Sequence, residues 1–196
     1  DCFSAGHDLA DIAAGEEVPS AGWHSETLRM MERLPKPVVA AVHGHCYTGA
    51  LEVARACDFI IAADNARFGD THAKWALTPL WGMSQRLPRR VGIATAKRLM
   101  FTAEMIDAAE AVRIGLAEFC VPLDRFDDAV QALGARICAN SSFSHRANKA
   151  LLETTDAVAL DAGLVREVME TEGHGPDMDD RTAAFMNRGA HKGTKP

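Results

Sequence analysis

One carboxylate stands out because of its neighbours. Glu52 lies in the stretch ALEVARAC, where nearly all of the remaining positions are apolar and a helix is expected. A carboxylate buried without a partner is unfavourable and has a shifted pKa, which suits a group that moves protons in catalysis. The residues alone leave two interpretations open. Glu52 either takes part in catalysis, or it pairs with a cation such as Arg55 or faces solvent.

Two glycine-containing turns could place hydrogen-bond donors near this carboxylate. Gly49 opens the helix that carries Glu52, so its N–H has no acceptor within the helix. The segment FSAGHDL, residues 3–9, contains Gly6 among small residues, which lets the backbone approach a ligand closely. Two N–H groups from separate turns can form an oxyanion hole, and the dipole of a helix N-terminus also favours negative charge there. Either segment taken alone is equally typical of an ordinary turn.

The elements that must position these residues follow from the hydrophobic pattern. Helical spacing predicts a helix over 23–34 with Ser25 as its N-cap, ended by two prolines. Further along, the pattern predicts a strand at 38–42, a turn at 43–48, a helix at 49–57, a strand at 58–63 and an extended piece at 66–70. Two short helices are expected in 81–102, then a helix ending at Gly115, a strand to Val121 and mainly helices from Leu123 onward. This order indicates an α/β core followed by helices.

Composition excludes several classes of function. The chain has 196 residues, 47% hydrophobic and 24% charged, as expected for one soluble globular domain. Its formal net charge of −6 and the lack of a basic run argue against a nucleic-acid partner. No apolar run approaches the roughly 20 residues of a membrane span, so we expect no membrane association. The five cysteines form no CxxC pair, which favours reduced thiols in a cytoplasmic protein.

The histidines outside FSAGHDL and residues 68–72 give weaker signals. His43 and His45 flank Gly44, but no third ligand lies nearby in the sequence, so we expect no metal site. Polar contexts predict a surface position for His24, His145, His174 and His191.

An ordered series of segments resembles the crotonase family, the enoyl-CoA hydratase/isomerase superfamily. The segments are FSAGHDL, PKPVVAAVHG, the helix with Glu52, CDFIIAA, SQRL and AAEAVRIGLAEFCVP. Each is modest alone, but their order over nearly the whole chain is specific. The resemblance implies an α/β fold, a crotonase-like (ClpP/crotonase) spiral of ββα units with a helical C-terminal part.

The same resemblance implies a division of the chain. Residues 1–122 would form the α/β core, 123–190 a helical trimerisation and lid region, and 191–196 a disordered tail. Family members usually carry about 50–60 further residues ahead of FSAGHDL, in keeping with typical domain sizes. We therefore expect an N-terminally incomplete domain that lacks the first turn of the spiral.

The resemblance also implies roles for single residues. The backbone N–H groups of His7 and Gly49 would form the oxyanion hole that binds the thioester carbonyl of an acyl-CoA. Glu52 matches the first of the two catalytic glutamates of the hydratases, which act as general base and acid. Substrate-binding positions would be the residues around these groups: Ala5, Asp8, Leu9, Tyr47, Thr48, Asp70, Thr71 and Leu80.

The second glutamate is where this sequence departs from the family pattern. Hydratases have F-x-x-P-E, whereas residues 68–72 read FGDTH, so His72 occupies the glutamate position and Thr71 the proline position. A histidine can shuttle protons near neutral pH, and we expect His72 to be the second catalytic group. Two alternatives stay open: His72 only lines the pocket, or Asp70 is the partner. On an extended segment Asp70 would point the same way, about 6–7 Å from His72.

A second departure concerns the substrate pocket. After Pro79 the family often has small residues, whereas here Leu80 and Trp81 follow and could narrow the acyl pocket or exclude water. Thr48 and Ala50 also stand where relatives often have glycine.

The implied activity is chemistry on an acyl-CoA thioester, first of all hydration of a 2-enoyl-CoA by a lyase of fatty acid metabolism. Isomerisation or other crotonase chemistry with Glu52 as the single acid/base, or a catalytically weak acyl-CoA-binding relative, are the alternatives. No metal or redox cofactor is implied, because coenzyme A is part of the substrate. The expected assembly is a homotrimer or a dimer of trimers.

Overall fold

The chain divides into two compact units. The computed structural model describes residues 2–15 and 17–190, without the side chains of 188–190. The first unit comprises the described residues up to Leu34 and Val38–Gly134; the second comprises Pro35–Pro37 and the described residues from Ala135. The boundary after Gly134 lies inside a helix, so the division at 122/123 stays a prediction. The predicted disordered tail, 191–196, lies outside the described residues.

Two small sheets form the centre of the first unit. Their strands are β1 (Val39–Val42), β2 (His45–Tyr47), β3 (Phe59–Ala63), β4 (Arg67–Gly69), β5 (Ile106–Asp107) and β6 (Phe119–Val121). One sheet has the order β1-β3-β6 with parallel neighbours, and the other has the order β2-β4-β5 with β2 and β4 parallel. Parallel neighbours need crossover connections, and the helix that follows β2 is one of them. The predicted α/β architecture is confirmed.

Helices connect and follow these strands. In the first unit they are α1 (Leu9–Ala14), α2 (Trp23–Glu32), α3 (Gly49–Arg55), α4 (Met83–Val91), α5 (Ile93–Thr102) and α6 (Ala108–Arg113), with short 3₁₀ helices at His72–Trp75 and Leu123–Arg125. Helix α7 (Phe126–Cys138) runs across the unit boundary. The second unit contains α8 (Ser142–Leu152), α9 (Leu160–Met169) and α10 (Met178–Ala190).

Several local predictions were wrong. Residues 45–47, predicted as part of a turn, form β2, and neither β5 nor α1 was predicted. Strands of two or three residues are too short to show an alternating pattern, and α1 has only six residues, which is too short for a helical period to stand out. Ser25 is not the N-cap of α2, because that helix begins two residues earlier, at Trp23, with Gly22 as its N-cap.

The core of the first unit surrounds helix α3. Leu51, Ala54, Ile60, Phe68 and Leu87 are fully buried and belong to one apolar cluster. Because α3 buries Gly49–Glu52 and Ala54, its polar residue Glu52 is carried into the interior by its apolar neighbours. The position of this carboxylate is therefore a consequence of core packing.

The second unit exposes many apolar side chains. They include Leu152, Leu160, Leu164, Val165, Val168, Met169, Phe185 and Met186. Within this unit Ser141 donates to Asp177 at 2.8 Å, and Arg181 donates to the carbonyl of Ala139 at 2.9 Å. None of the helices in the described ranges has both the length and the apolar character needed to cross a bilayer.

Replacing Leu51 with alanine tests the importance of this core. Leu51 is 0% exposed. We expect Leu51→Ala to lower the free energy of unfolding by about 3 kcal/mol, because transfer and cavity costs add. The matched variant is Leu80→Ala, since Leu80 is 73% exposed, and it should change stability by less than about 0.5 kcal/mol. Denaturant unfolding measures both, and equal effects of the two substitutions would contradict the described packing.

Candidate active site

The carboxylate of Glu52 is buried and held by backbone donors. Only 1% of the residue is exposed. Its Oε1 accepts hydrogen bonds from the backbone N–H of Trp81 at 3.0 Å and of Met83 at 2.9 Å. Burial raises the pKa of Glu52, while these two N–H groups and His72 oppose the increase. Among the described residues, these two N–H groups and His72, and not Arg55, compensate the carboxylate. The interpretation of Glu52 as a solvent-facing residue is therefore wrong.

The other carboxylate oxygen of Glu52 faces His72. The Nε2 atom of His72 lies 3.9 Å from Oε2 of Glu52, and both side chains are buried. The Nδ1 atom of His72 lies 2.5 Å from Oδ1 of Asp70, and the same oxygen accepts from the backbone N–H of His72 at 3.2 Å. One imidazole thus connects two carboxylates, one at each ring nitrogen.

The distance expected between Asp70 and His72 was wrong. An extended segment would keep these two side chains about 6–7 Å apart. The chain instead leaves β4 at Gly69 and enters the 3₁₀ helix His72–Trp75, which folds the imidazole back onto Asp70. Asp70 therefore contacts His72 directly.

The charges around His72 favour its protonated form. Burial opposes protonation, but the hydrogen bond to Asp70 and the charges of Asp70 and Glu52 outweigh it and raise the pKa of His72. Within the described residues, Oδ2 of Asp70 is buried and has no hydrogen-bond donor. The negative charge of Asp70 is consequently compensated mainly at His72, since a buried carboxylate needs a partner of opposite charge.

The two glycine turns approach each other beside a cavity. Gly6 has φ 104°, and a methyl group at this position would lie 2.8 Å from the carbonyl oxygen of Tyr47 and 3.4 Å from the nitrogen of Gly49. Only glycine adopts this conformation readily and allows such an approach. His7 and Gly49 both line a cavity of about 250 Å³. The structure thus brings the two predicted oxyanion donors to one place.

Thr48 and Thr71 bond each other. Their hydroxyl oxygens are 2.5 Å apart, and Thr48 Oγ1 also accepts from the backbone N–H of Thr71 at 3.2 Å. Thr48 has φ 54°, a value that favours glycine, so these bonds offset a strained backbone. They tie the turn before Gly49 to the residue before His72.

Aromatic rings close one side of the cavity. The Trp81 ring packs on Gly49, where an added methyl group would lie 2.7 Å from it. Trp81 also stacks on His24 with centroids 4.5 Å apart, and His7 lies 5.4 Å from Trp81. His24, which was predicted to lie at the surface, is half-buried against Trp81. The apolar lining of the cavity also includes Phe3, Ala50 and Val53.

Several predicted substrate-binding residues are not among those that line the cavity. Asp8 caps α1 by accepting from the N–H of Ala10 at 2.7 Å, and Leu9 begins that helix. Tyr47 bonds His45 at 2.8 Å through its hydroxyl group. Ala5 and Leu80 are exposed, and neither lines the cavity. It is Trp81, next to Leu80, whose side chain reaches the site.

Sequence reasoning missed the backbone donors to Glu52. They come from Trp81 and Met83, the two neighbours of Gly82, about thirty positions further along the chain. Gly82 has φ 114°, a conformation that turns successive N–H groups toward one side. The isolated glycine between two bulky residues was the available signal.

Comparisons with known proteins show which family this chain and its fold resemble. The family model for enoyl-CoA hydratase/isomerase matches residues 1–185. Similar proteins include the crotonyl-CoA hydratase of Syntrophomonas wolfei, 39% identical over 151 residues, which cover 76% of this chain and 58% of that protein. The short-chain-enoyl-CoA hydratase of Clostridium acetobutylicum is 32% identical over 98% of this chain and 76% of its own length. The crystal structure of enoyl-CoA hydratase from Bacillus anthracis superimposes with a TM-score of 0.86 at 34% identity, covering 94% of this chain and 73% of that chain.

Replacing Asp70 with asparagine tests the charge balance of the site. The hydrogen bond and the charge of Asp70 raise the pKa of His72, so Asp70→Asn should lower it. An NMR titration of the His72 ring measures the change. Asp161→Asn, an exposed aspartate in the second unit, is the matched control and should leave the titration unaltered. A His72 pKa that stays at its wild-type value in Asp70→Asn would show that Asp70 does not support the imidazolium.

Proposed function

The chain belongs to the enoyl-CoA hydratase/isomerase family, and from this premise we propose that it is a hydratase that adds water to a 2-enoyl-CoA thioester. The observation that carries the proposal is the pair of buried acid/base groups, Glu52 and His72, which face each other at 3.9 Å. Water addition needs one group that takes a proton from water and one that gives a proton to carbon. The relatives named crotonyl-CoA hydratase and short-chain-enoyl-CoA hydratase support this reaction class.

The oxyanion hole is assigned to the backbone N–H groups of His7 and Gly49. Negative charge develops on the thioester oxygen when water adds to the conjugated double bond. Donors fixed by the fold stabilise that charge without reorganisation. The close approach of the Gly6 turn to the Gly49 nitrogen supports this assignment.

The proposed steps balance in protons and electrons. Glu52 takes a proton from water, the hydroxyl oxygen bonds to carbon 3, and the double-bond electrons move through carbon 2 to the thioester oxygen. The enolate then takes the Nε2 proton of the His72 imidazolium at carbon 2. Glu52 is left protonated and His72 neutral, and transfer of one proton across the 3.9 Å gap restores the starting state.

Isomerisation is the weaker candidate. A single carboxylate that moves a proton between two carbons would need no second group. The structure holds a second titratable group opposite Glu52 and supports it with Asp70, an arrangement that suits one proton transfer at each of two groups. Coenzyme A is part of the proposed thioester substrate, and the proposed reaction uses no further cofactor.

Assembly and location belong to the same proposal. A homotrimer or a dimer of trimers would cover the apolar side chains that the second unit exposes, such as Leu164, Val168 and Phe185. The five cysteines are free thiols, which supports a reducing compartment, and we place the protein in the cytoplasm.

Turnover of crotonyl-CoA tests the function directly. The wild-type chain should consume crotonyl-CoA, followed as loss of the absorbance of the conjugated thioester. Glu52→Gln should lower kcat by at least about 10²-fold, because an amide cannot take the proton from water. The exposed Glu167→Gln serves as the matched control and should keep the wild-type rate. A wild-type chain that binds CoA esters without turnover would instead indicate a binding relative.

The dependence of the rate on pH tests the role of His72. The reaction needs ionised Glu52 and protonated His72, and both pKa values are raised. The rate should fall as pH drops through the Glu52 pKa and fall again as pH rises through the His72 pKa. His72→Gln should lower kcat by about 10²-fold and remove the alkaline decrease, whereas exposed His174→Gln should preserve the profile. An unchanged rate in His72→Gln would reduce His72 to a residue of the pocket wall.

A further inference from the structure

The SQRL segment, residues 84–87, has no role in the proposed chemistry, yet its arginine is fixed by several hydrogen bonds. Arg86 lies on α4 and bonds Glu32 on α2 through two parallel contacts. Its Nε donates to Oε1 of Glu32 at 2.5 Å, and a terminal nitrogen donates to Oε2 at 2.8 Å. The Arg86 side chain is only 14% exposed. Paired contacts of this kind fix the guanidinium plane, because two bonds define its orientation.

The remaining terminal nitrogen of Arg86 reaches the turn before its own helix. It donates to the carbonyl oxygen of Trp81. Gly82 has φ 114°, and a methyl group on Gly82 would overlap the guanidinium of Arg86. The backbone of Gly82 also accepts from the N–H of Arg86 at 2.9 Å. Arg86 therefore fills the space that a side chain at residue 82 would occupy and supports the turn 81–83 through its contact with the Trp81 carbonyl.

That turn is the same one that binds the Glu52 carboxylate. The N–H groups of Trp81 and Met83 both donate to Oε1 of Glu52, which leaves Oε2 toward His72. The turn 81–83 thus connects the Arg86 guanidinium, which bonds its carbonyl side, with the Glu52 carboxylate, which accepts from its N–H groups. The contacts run from Glu32 through Arg86 and the turn 81–83 to Glu52.

We propose that Arg86, anchored by Glu32, is a positioning residue that acts through the turn 81–83 to hold the Glu52 carboxylate in its orientation toward His72. Arg86 bonds the turn and not the carboxylate, so it is not assigned a chemical step. This inference rests on the proposed function only in the experiments that measure turnover. The orientation of Glu52 can be measured without any substrate.

The electrostatic surroundings of Glu52 determine the expected sign. In the described part of the chain, the groups that face its carboxylate are His72 at 3.9 Å and Asp70 behind it, together with the two N–H donors. These donors lower the pKa of Glu52 against the effect of burial. When the turn is loosened, the hydrogen bonds to the ionised form weaken, and the pKa of Glu52 must rise.

Variants of Arg86 separate positioning from simple stabilisation. We expect Arg86→Met to lower kcat by about 10- to 100-fold, the scale of a misplaced acid/base group. The acidic decrease of the pH profile should move to higher pH, and a carbon-13 NMR titration should show a higher Glu52 pKa. Arg86→Lys keeps the charge but cannot make the three contacts together, so it should fall between Arg86→Met and wild type. Arg89→Met is the matched control, since Arg89 lies on the same helix with its guanidinium bonded to the carbonyl of Gln85 at 2.8 Å.

The outcomes distinguish this inference from the proposed function. Loss of an ordinary ion pair affects stability alone. The positioning role of Arg86 is therefore wrong if Arg86→Met lowers the melting temperature but keeps kcat within about twofold of wild type and leaves the Glu52 pKa unchanged. If Arg86→Met does not fold, Glu32→Gln must shift the Glu52 titration in the same direction, and an unshifted titration overturns the inference. If the wild-type chain shows no turnover, only the hydratase proposal is wrong, because the NMR titration of Glu52 still tests the positioning role of Arg86.

Discussion

The burial of one carboxylate constrains the rest of this structure. Glu52 is carried into the core by the apolar face of α3, and at 1% exposure it has lost its hydration. An ionised group in such a place is stable only with donors supplied by the protein. Those donors are two N–H groups of one turn, both on Oε1. The turn must therefore have a fixed shape, and the elements that fix it become part of the site.

The second constraint is the accumulation of negative charge. Asp70 and Glu52 are both buried, and two buried carboxylates at close range disfavour each other's ionisation. His72 lies between them and can carry a positive charge, so the three groups together bear one net negative charge when His72 is protonated. A family glutamate at position 72 would have to hold a proton to avoid repulsion. An imidazolium at this position reduces the repulsion by its positive charge, and Asp70 on its other ring nitrogen stabilises that charge.

The sequence allowed the larger elements to be predicted, along with several residues that meet in the candidate site, and the reasons for the failures are physical. Strands β1 and β3 and helix α3 were visible because their apolar runs are long enough to show a pattern. Strands β2 and β5 have three and two residues, and their existence depends on pairing with distant segments. The Asp70–His72 contact was misjudged because a 3₁₀ helix starts where an extended strand was expected to continue. The donors to Glu52 are backbone groups, which have no residue type to recognise.

The turn 81–83 shows how the chemistry and the shape of the cavity are separated in this fold. Its backbone N–H groups hold Glu52, whereas the side chain of Trp81 lies over Gly49 and lines the cavity. The backbone donor of residue 81 is present with every side chain except that of proline, which has no N–H. The side chain at this position can therefore change the size of the cavity while the Glu52 carboxylate keeps its hydrogen bonds. Position 82 lacks this freedom, because any side chain there meets the guanidinium of Arg86. A bulky tryptophan can therefore stand next to a position that requires glycine: Trp81 limits the size of the cavity, and Gly82 leaves the turn that binds Glu52 undisturbed.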